Sequence, residues 1–318
     1  MISPTPFPEA NRFPRGVTAI LNVSSGSQRQ HELAEIVTHV FAENDIDIDV
    51  QLAHRPADIP RFTRAALDSG RSMVLAGGGD GTISAVASAL SGTETLLGVL
   101  PCGTFNYFAR LLGIPLDPEG AARACIDGEI KGVPLGEVNG RVFLNNSSMG
   151  LYPALLRQRE ESYKRWGRSQ LIAYISAAWG LVRPRSHLEI DMIVEGKQKR
   201  FSTPLIFAAS NPHQVEEFEM PGAPCIDQHK LAFYVLPPVG RLGLLRLGWR
   251  MIRRKLTPAK DFQLLCSDEA HVHTRRRSIT VAYDGELERM NTPLTFRLKP
   301  DAIQVLVPRP TSIEENAA

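Results

Sequence analysis

Ser72-Met73-Val74-Leu75-Ala76-Gly77-Gly78-Gly79-Asp80-Gly81-Thr82 is a short apolar run that breaks into glycine and leads into a helical pattern at Ile83–Leu90. An apolar run of this length suits a strand covered on both faces, and consecutive glycines admit backbone conformations barred to other residues. Outward from it the alternation repeats. Val17–Asn22 is an apolar strand, followed by a helical stripe of Leu33, Ile36, Val37, Val40 and Phe41. Ile46–Leu52 reads as a strand, Arg61–Asp68 as a short helix and Leu97–Leu100 as another buried strand. Strands alternating with helices predict a mostly parallel α/β sheet, whose ligands bind beyond the carboxyl ends of its strands.

After residue 134 the pattern changes. Val133–Val138 and Arg141–Asn145 pair across Asn139-Gly140, a hairpin dipeptide, and a long helix is expected over Pro153–Val182. Strands then follow at Leu188–Val194, Thr203–Ala209, Leu231–Leu236, Ala270–His273, Ser278–Tyr283, Leu294–Leu298 and Ala302–Val307, as in a β-sandwich. The expected organisation is a Pro-rich tail at 1–15, an α/β domain at 16–134, a β-rich sandwich-like domain at 135–308 and a short tail at 309–318.

The chain has 318 residues, a length that suits about two domains. Hydrophobic residues make up 43% and charged residues 22%, which excludes global disorder, and a net charge of +2 gives no field for nucleic acid. Cys102, Cys125, Cys225 and Cys266 form no CxxC pair, so reduced, buried thiols are expected. Pro4, Pro6, Pro8 and Pro14 stand where a signal peptide needs an apolar stretch. No apolar run reaches the roughly 18 residues of a membrane span. A soluble, cytoplasmic protein is expected.

The chemistry gathers at strand ends. Gly77–Thr82 offers bare N–H groups at a helix start, a cradle for phosphate, and Thr82 is placed to cap that helix or bond a phosphate oxygen. Asp80 beside an anion needs a cation between them, which points to Mg²⁺. Alone, the triglycine turn reads equally well as a turn with Asp80 as its cap. The third glycine of a dinucleotide fingerprint is Thr82 here, and no GK[ST] occurs. Pro101-Cys102-Gly103-Thr104-Phe105-Asn106 repeats glycine plus hydroxyl at the next strand end, with Asn106 a ribose or phosphate ligand or a helix cap. Asn22-Val23-Ser24-Ser25-Gly26 does so after the first strand. Asp284-Gly285-Glu286 places two carboxylates at a turn that would, alone, be a plain hairpin.

Together these motifs resemble the diacylglycerol kinase catalytic-domain family, which includes sphingosine and ceramide kinases and soluble bacterial lipid kinases, over roughly residues 16–308. GGGDGT is similar to the family's nucleotide loop, Pro101–Asn106 with Phe108-Ala109-Arg110 to its PxGTxN-xxAR segment, and Asp284-Gly285-Glu286 to its DGE motif. The resemblance implies an ATP-dependent lipid kinase with Mg²⁺, acting on a diacylglycerol-like or sphingoid- or ceramide-like hydroxyl. It assigns phosphate binding to Asn22, Ser25, Gly26, Gly77, Gly78, Gly79, Asp80, Gly81, Thr82, Gly103, Thr104 and Asn106, and Mg²⁺ to Asp80. Asp284 and Glu286 become the candidates for the base, with Asp80 in the catalytic group.

Three positions depart from the pattern: Val23 where the first loop usually has Pro, Tyr107 where Asp is frequent, and Asp227–Ala232, where one carboxylate survives of the family's structural metal segment. No structural metal site is expected there. Arg241–Leu256 has six basic residues and no acidic one. Leu242, Leu245, Trp249, Ile252 and Leu256 fall on one helical stripe, with Arg246, Arg250 and Arg253 elsewhere. Such a helix either lies on an anionic bilayer or packs on the sheet. Arg157–Arg168 is a second basic run, read as a solvated face or an aid in drawing in a polyphosphate. His271 and His273 share a strand face without a third ligand, so no metal is assigned to them. The competing readings are a non-catalytic lipid- or nucleotide-binding module and an NAD kinase, whose Asn-Glu dipeptide this chain lacks.

Overall fold

The computed structural model describes residues 13, 15–22, 27–166, 187–253 and 261–309. It divides into two compact units: Met1–Val133 with Asp301–Ala318, and Pro134–Pro300. The chain therefore returns to its first unit at the end. The strand that sequence reading places at Ala302–Val307 belongs there, not to the β-rich domain.

The first unit alternates β1 (Val17–Asn22), α1 (Ser27–Ala42), β2 (Ile48–Ala53), α2 (Asp58–Asp68), β3 (Met73–Gly78), α3 (Asp80–Leu90) and β4 (Leu96–Pro101). The short α4 (Tyr107–Leu111) and α5 (Pro118–Asp127) follow. The sheet runs β2-β1-β3-β4, all parallel. Every residue of β3 is buried, as are five of six in β1 and β4. The apolar runs are unbroken because helices cover both faces. α2 packs with α3 and β1, and α1 with α5 and β2.

In the second unit the hairpin of β5 (Glu129–Val138) and β6 (Arg141–Phe143) turns at Asn139-Gly140, both at positive φ, as anticipated. β7 (Asn146–Gly150) and α6 (Leu151–Trp166) follow; the remainder of the long helix expected to Val182 lies outside the described residues. Then come β8 (Leu188–Val194), β9 (Lys197–Thr203), β10 (Leu205–Ala209), α7 (Pro212–Glu217), α8 (Ala223–Asp227), β11 (Leu231–Val235), α9 (Arg241–Ile252) and β12 (Gln263–Ser267). β13 (Glu269–Thr274), β14 (Ser278–Tyr283) and β15 (Glu286–Asn291) follow, and β16 (Leu294–Val307) begins in the second unit and ends in the first, where Val305 pairs parallel with Leu97 of β4.

One antiparallel sheet runs β12-β11-β10-β7-β14-β15, and β16-β13-β8-β9 is also antiparallel. Phe143, Met192, Phe233, Val281 and Phe296 fill the core, with Phe233 edge-on to Phe296 at 5.6 Å. A smaller core around Tyr234 and Phe262 includes Val215 of α7 and contacts Leu247 of α9. Cys225 and Cys266 are joined in a disulfide, correcting the expectation of reduced, buried thiols for this pair. Spacing alone could not disclose it, since the partners are 41 residues apart in sequence and meet only when α8 lies beside β12.

Candidate active site

β1 and β3 are neighbours, but the sheet grows from them in opposite directions, β1 towards β2 and β3 towards β4. Their carboxyl ends form the switch point where open α/β sheets take ligands. Asn22 closes β1, and Gly77-Gly78 closes β3. A Cβ on Gly77 would strike the end of the Leu21 side chain, and one on Gly78 the Thr82 Oγ1 and Cβ, so either would force that side chain to move. A Cβ on Gly81 would meet nothing within 4 Å. Gly79 is the N-cap of α3, and among the described residues the N–H groups of Gly79 and Gly81 have no acceptor. The helix start thus presents bare donors and its positive end to open space.

Of the two roles read for Thr82, helix cap or phosphate ligand, the cap position falls to Gly79. Thr82 is buried, and its Oγ1 accepts from Asn22 Nδ2 at 2.8 Å, tying β1 to the first turn of α3. Ser25 and Gly26 lie outside the described residues.

The second glycine loop touches the first through its backbone: a Cβ on Gly103 would stand 2.6 Å from Gly79 Cα. Asn106, at φ 53°, caps nothing with its side chain. Its Oδ1 accepts from Gly103 N at 2.9 Å, and its Nδ2 donates to Gly103 O at 3.1 Å. The Gly103 N–H expected at a phosphate is therefore taken up by Asn106. Thr104 is exposed, beside Phe105 stacked on Tyr107 at 5.3 Å.

Asp80 opens α3 and accepts from Phe108 N at 3.3 Å, linking α3 to the start of α4. Burial raises its proton affinity, while the N–H groups of Phe108, Asn106 and Tyr107 pull the other way. These N–H groups compete for the carboxylate that the sequence offers to Mg²⁺. Among the described residues no three His, Cys, Asp or Glu side chains gather into a metal site.

In the second unit Asp284 (φ 45°) and Gly285 (φ 91°) form the tight turn between β14 and β15. The Asp284 carboxylate accepts from Leu144 N at 2.6 Å, Asn145 N at 2.9 Å and Asn146 N at 3.1 Å. Both oxygens are thus occupied in holding the turn between β6 and β7. Glu286, two residues on, is exposed, and its side chain has no hydrogen-bond or ion-pair partner among the described residues. Next to it Arg141 grips Glu288 with two bonds, and Glu288 accepts from the Tyr283 hydroxyl at 2.9 Å. Burial and Glu288 push the Tyr283 phenol up to about 12.

Around Asp284 lies a buried polar cluster absent from the sequence reading. Asn211 Nδ2 donates to Asn145 Oδ1, Ser210 Oγ to Leu144 O, and Asn146 Nδ2 to Gln214 Oε1. Its signal was the polar run Asn145-Asn146-Ser147-Ser148 interrupting apolar sequence, which an amphipathic-strand template passes over.

Residues 16–138 match the family model for the diacylglycerol kinase catalytic domain. Over that stretch the chain is similar to the diacylglycerol kinase catalytic domain. A Pseudomonas aeruginosa protein named "Probable lipid kinase YegS-like" is 36% identical over 148 residues, 46% of this chain and 49% of that one. A protein of the same name from Pseudomonas fluorescens is 35% identical over 187 residues, 55% and 62% respectively. These matched stretches span about half the length of the curated relatives. A crystal structure of a diacylglycerol kinase from Bacillus anthracis shares the fold, with a TM-score of 0.65 over 93% of this chain and 97% of that one, at 19% identity.

Proposed function

We propose that this protein transfers the γ-phosphoryl group of ATP to the hydroxyl of a lipid, diacylglycerol-like or sphingoid- or ceramide-like. The observation that carries the reading is the open first turn of α3 at the sheet's switch point, where Gly79 and Gly81 offer N–H groups to an anion. Gly77, Gly78 and Gly103 let the backbones close up, and Thr104 adds a hydroxyl. Asn22, Thr82, Asn106 and Asp80 act at one remove, as positioning residues. Mg²⁺, bound with the nucleotide, would neutralise charge on the transferring phosphoryl group.

Glu286 takes the proton of the acceptor hydroxyl. Asp284 is the poorer choice because both its oxygens already accept backbone N–H groups. As the lipid oxygen bonds to the γ-phosphorus, the bond from that phosphorus to the bridging β–γ oxygen breaks. ADP departs and the proton rests on Glu286. Such transfers depend on positioning and charge stabilisation, to which a placed base adds roughly 10²–10⁴-fold.

The lipid is reached through α9. Leu242 is 83% exposed and Trp249 56%, and they share one stripe with the exposed Arg246 and Arg253, the latter stacked over the Trp249 ring at 4.5 Å. Leu247 faces the small core and Arg250 pairs with Asp261 at 2.9 Å, so the outward stripe differs from the one read in the sequence. Leu256 lies outside the described residues. Apolar and basic groups together suit peripheral contact with an anionic membrane face. Among the described residues no helix is long and apolar enough to cross a membrane.

Purified protein given γ-labelled ATP and extracted lipids should transfer label to the lipid phase, where the product can be identified. No lipid-phase label, with ATP bound, would refute the reading.

A further inference from the structure

β9 and β12 are the edge strands of their respective sheets in the second unit. There the protein forms a half-open pocket of about 420 Å³ whose wall includes both cysteines of the Cys225–Cys266 disulfide. That volume falls among the roughly 300–1,000 Å³ of small-molecule sites. Both cysteines are half-buried, so the disulfide is covered yet reachable.

The remaining wall is basic. Lys197, Lys199 and Lys230 line it, against a single carboxylate, Glu195, which pairs with Lys230 at 3.0 Å. Strand alternation separates Lys197 and Lys199 from Arg200, which points to the other face and bonds Asp191 at 2.8 Å. Lys197 and Lys199 have no ion-pair partner among the described residues. Two uncompensated cations therefore share a cavity with a disulfide.

We propose that Cys225–Cys266 is a thiol–disulfide exchange site whose cavity takes small anionic thiols, a peptide thiol bearing carboxylates being the fitting class. The incoming thiolate attacks one cysteine sulfur, a new S–S bond forms to it, and the protein's S–S bond breaks. The electron pair leaves on the other cysteine as a thiolate. A second anionic thiol then attacks the mixed disulfide, giving a small-molecule disulfide and two protein thiols. Lys197 and Lys199 serve both halves, since a cationic cleft concentrates the anionic reagent and favours the departing thiolate. The product form unties α8 from β12.

Inward-facing lysines on an edge strand also guard against edge-to-edge pairing. That role makes no demand on the thiol's charge, and the experiment turns on this difference. Protein with its other thiols blocked by alkylation is challenged with glutathione, neutral 2-mercaptoethanol or cationic cysteamine, compared at equal thiolate concentration. Mixed disulfides are read by intact mass, and released thiols at Cys225 and Cys266 by a second alkylating label.

Glutathione should react roughly tenfold faster than 2-mercaptoethanol at low salt, the lower end of steering by a charged cleft, with cysteamine slowest. The advantage should vanish in Lys197→Gln/Lys199→Gln and at about 1 M salt. Equal rates for the three thiols would overturn the proposal, as would an advantage that survives the double substitution. So would Cys225 and Cys266 that both remain alkylatable in oxidised protein.

Discussion

The two carboxylates of the Asp284-Gly285-Glu286 turn differ in what they touch, and substitution should separate them. Glu286→Gln removes an exposed, unpartnered group. Turnover should fall roughly 10²–10⁴-fold with ATP affinity and melting temperature unchanged, measured by steady-state kinetics, calorimetric titration and thermal scans. Asp284→Ala strands the buried N–H groups of Leu144, Asn145 and Asn146. At roughly 1–3 kcal/mol for each unpaired donor, denaturant unfolding should show a loss of about 3 kcal/mol or more. Asp80 makes a different prediction. Burial raises its proton affinity in the folded state, so its stabilising contribution is complete at acid pH and is lost as pH rises through the folded-state value. Asp80→Asn keeps an acceptor for Phe108 N and carries no charge. Its melting temperature relative to the parent should therefore climb as pH rises above the ordinary 3.8 and through the folded-state value. A flat difference would show that the carboxylate bears no burial cost.

Elements were legible where burial imposes a period and illegible where it does not. β1, β3 and β4 announce themselves because strands covered on both faces must be apolar throughout. β9 (KQKRFST) and β15 (ELERMN) are edge strands whose charges blunt pairing, so composition hides them. β7 is central yet begins Asn-Ser-Ser, since its start is built from hydrogen bonds to residues more than sixty positions away in sequence. The glycine loops were legible in the sequence but not which of their N–H groups stay open, because Asn106 claims Gly103 only once the loop folds. On α9 the period placed apolar residues on one stripe, whereas the sheet covers a different face and leaves Leu242, Arg246, Trp249 and Arg253 outside. Each basic residue at an anionic surface is worth about 1 kcal/mol, so Arg246→Gln/Arg253→Gln should weaken binding to anionic vesicles about 30-fold. Binding to neutral vesicles should be unaffected in the same sedimentation assay, and equal losses on both would reject the electrostatic part.

At the scale of the whole molecule, the proposed nucleotide role falls to residues of the first unit and the proposed proton-acceptor role to a residue of the second. The division has a signature that a single perturbed site would not give. Gly103→Ala drives a Cβ towards Gly79 Cα, where it would stand at 2.6 Å, so the two glycine loops must part. Misplacement on the order of 1 Å costs about 10²-fold in turnover, and here the loss should appear first as weaker ATP binding. Vesicle binding through α9 should stay at the parent's level. Glu286→Gln should give the converse, with ATP binding and vesicle binding both kept and turnover lost. Measured side by side, the variants should fail in different assays. If Gly103→Ala retains ATP affinity while losing turnover, the nucleotide does not sit on the α3 turn, and the phosphate role assigned to Gly79 and Gly81 falls with it.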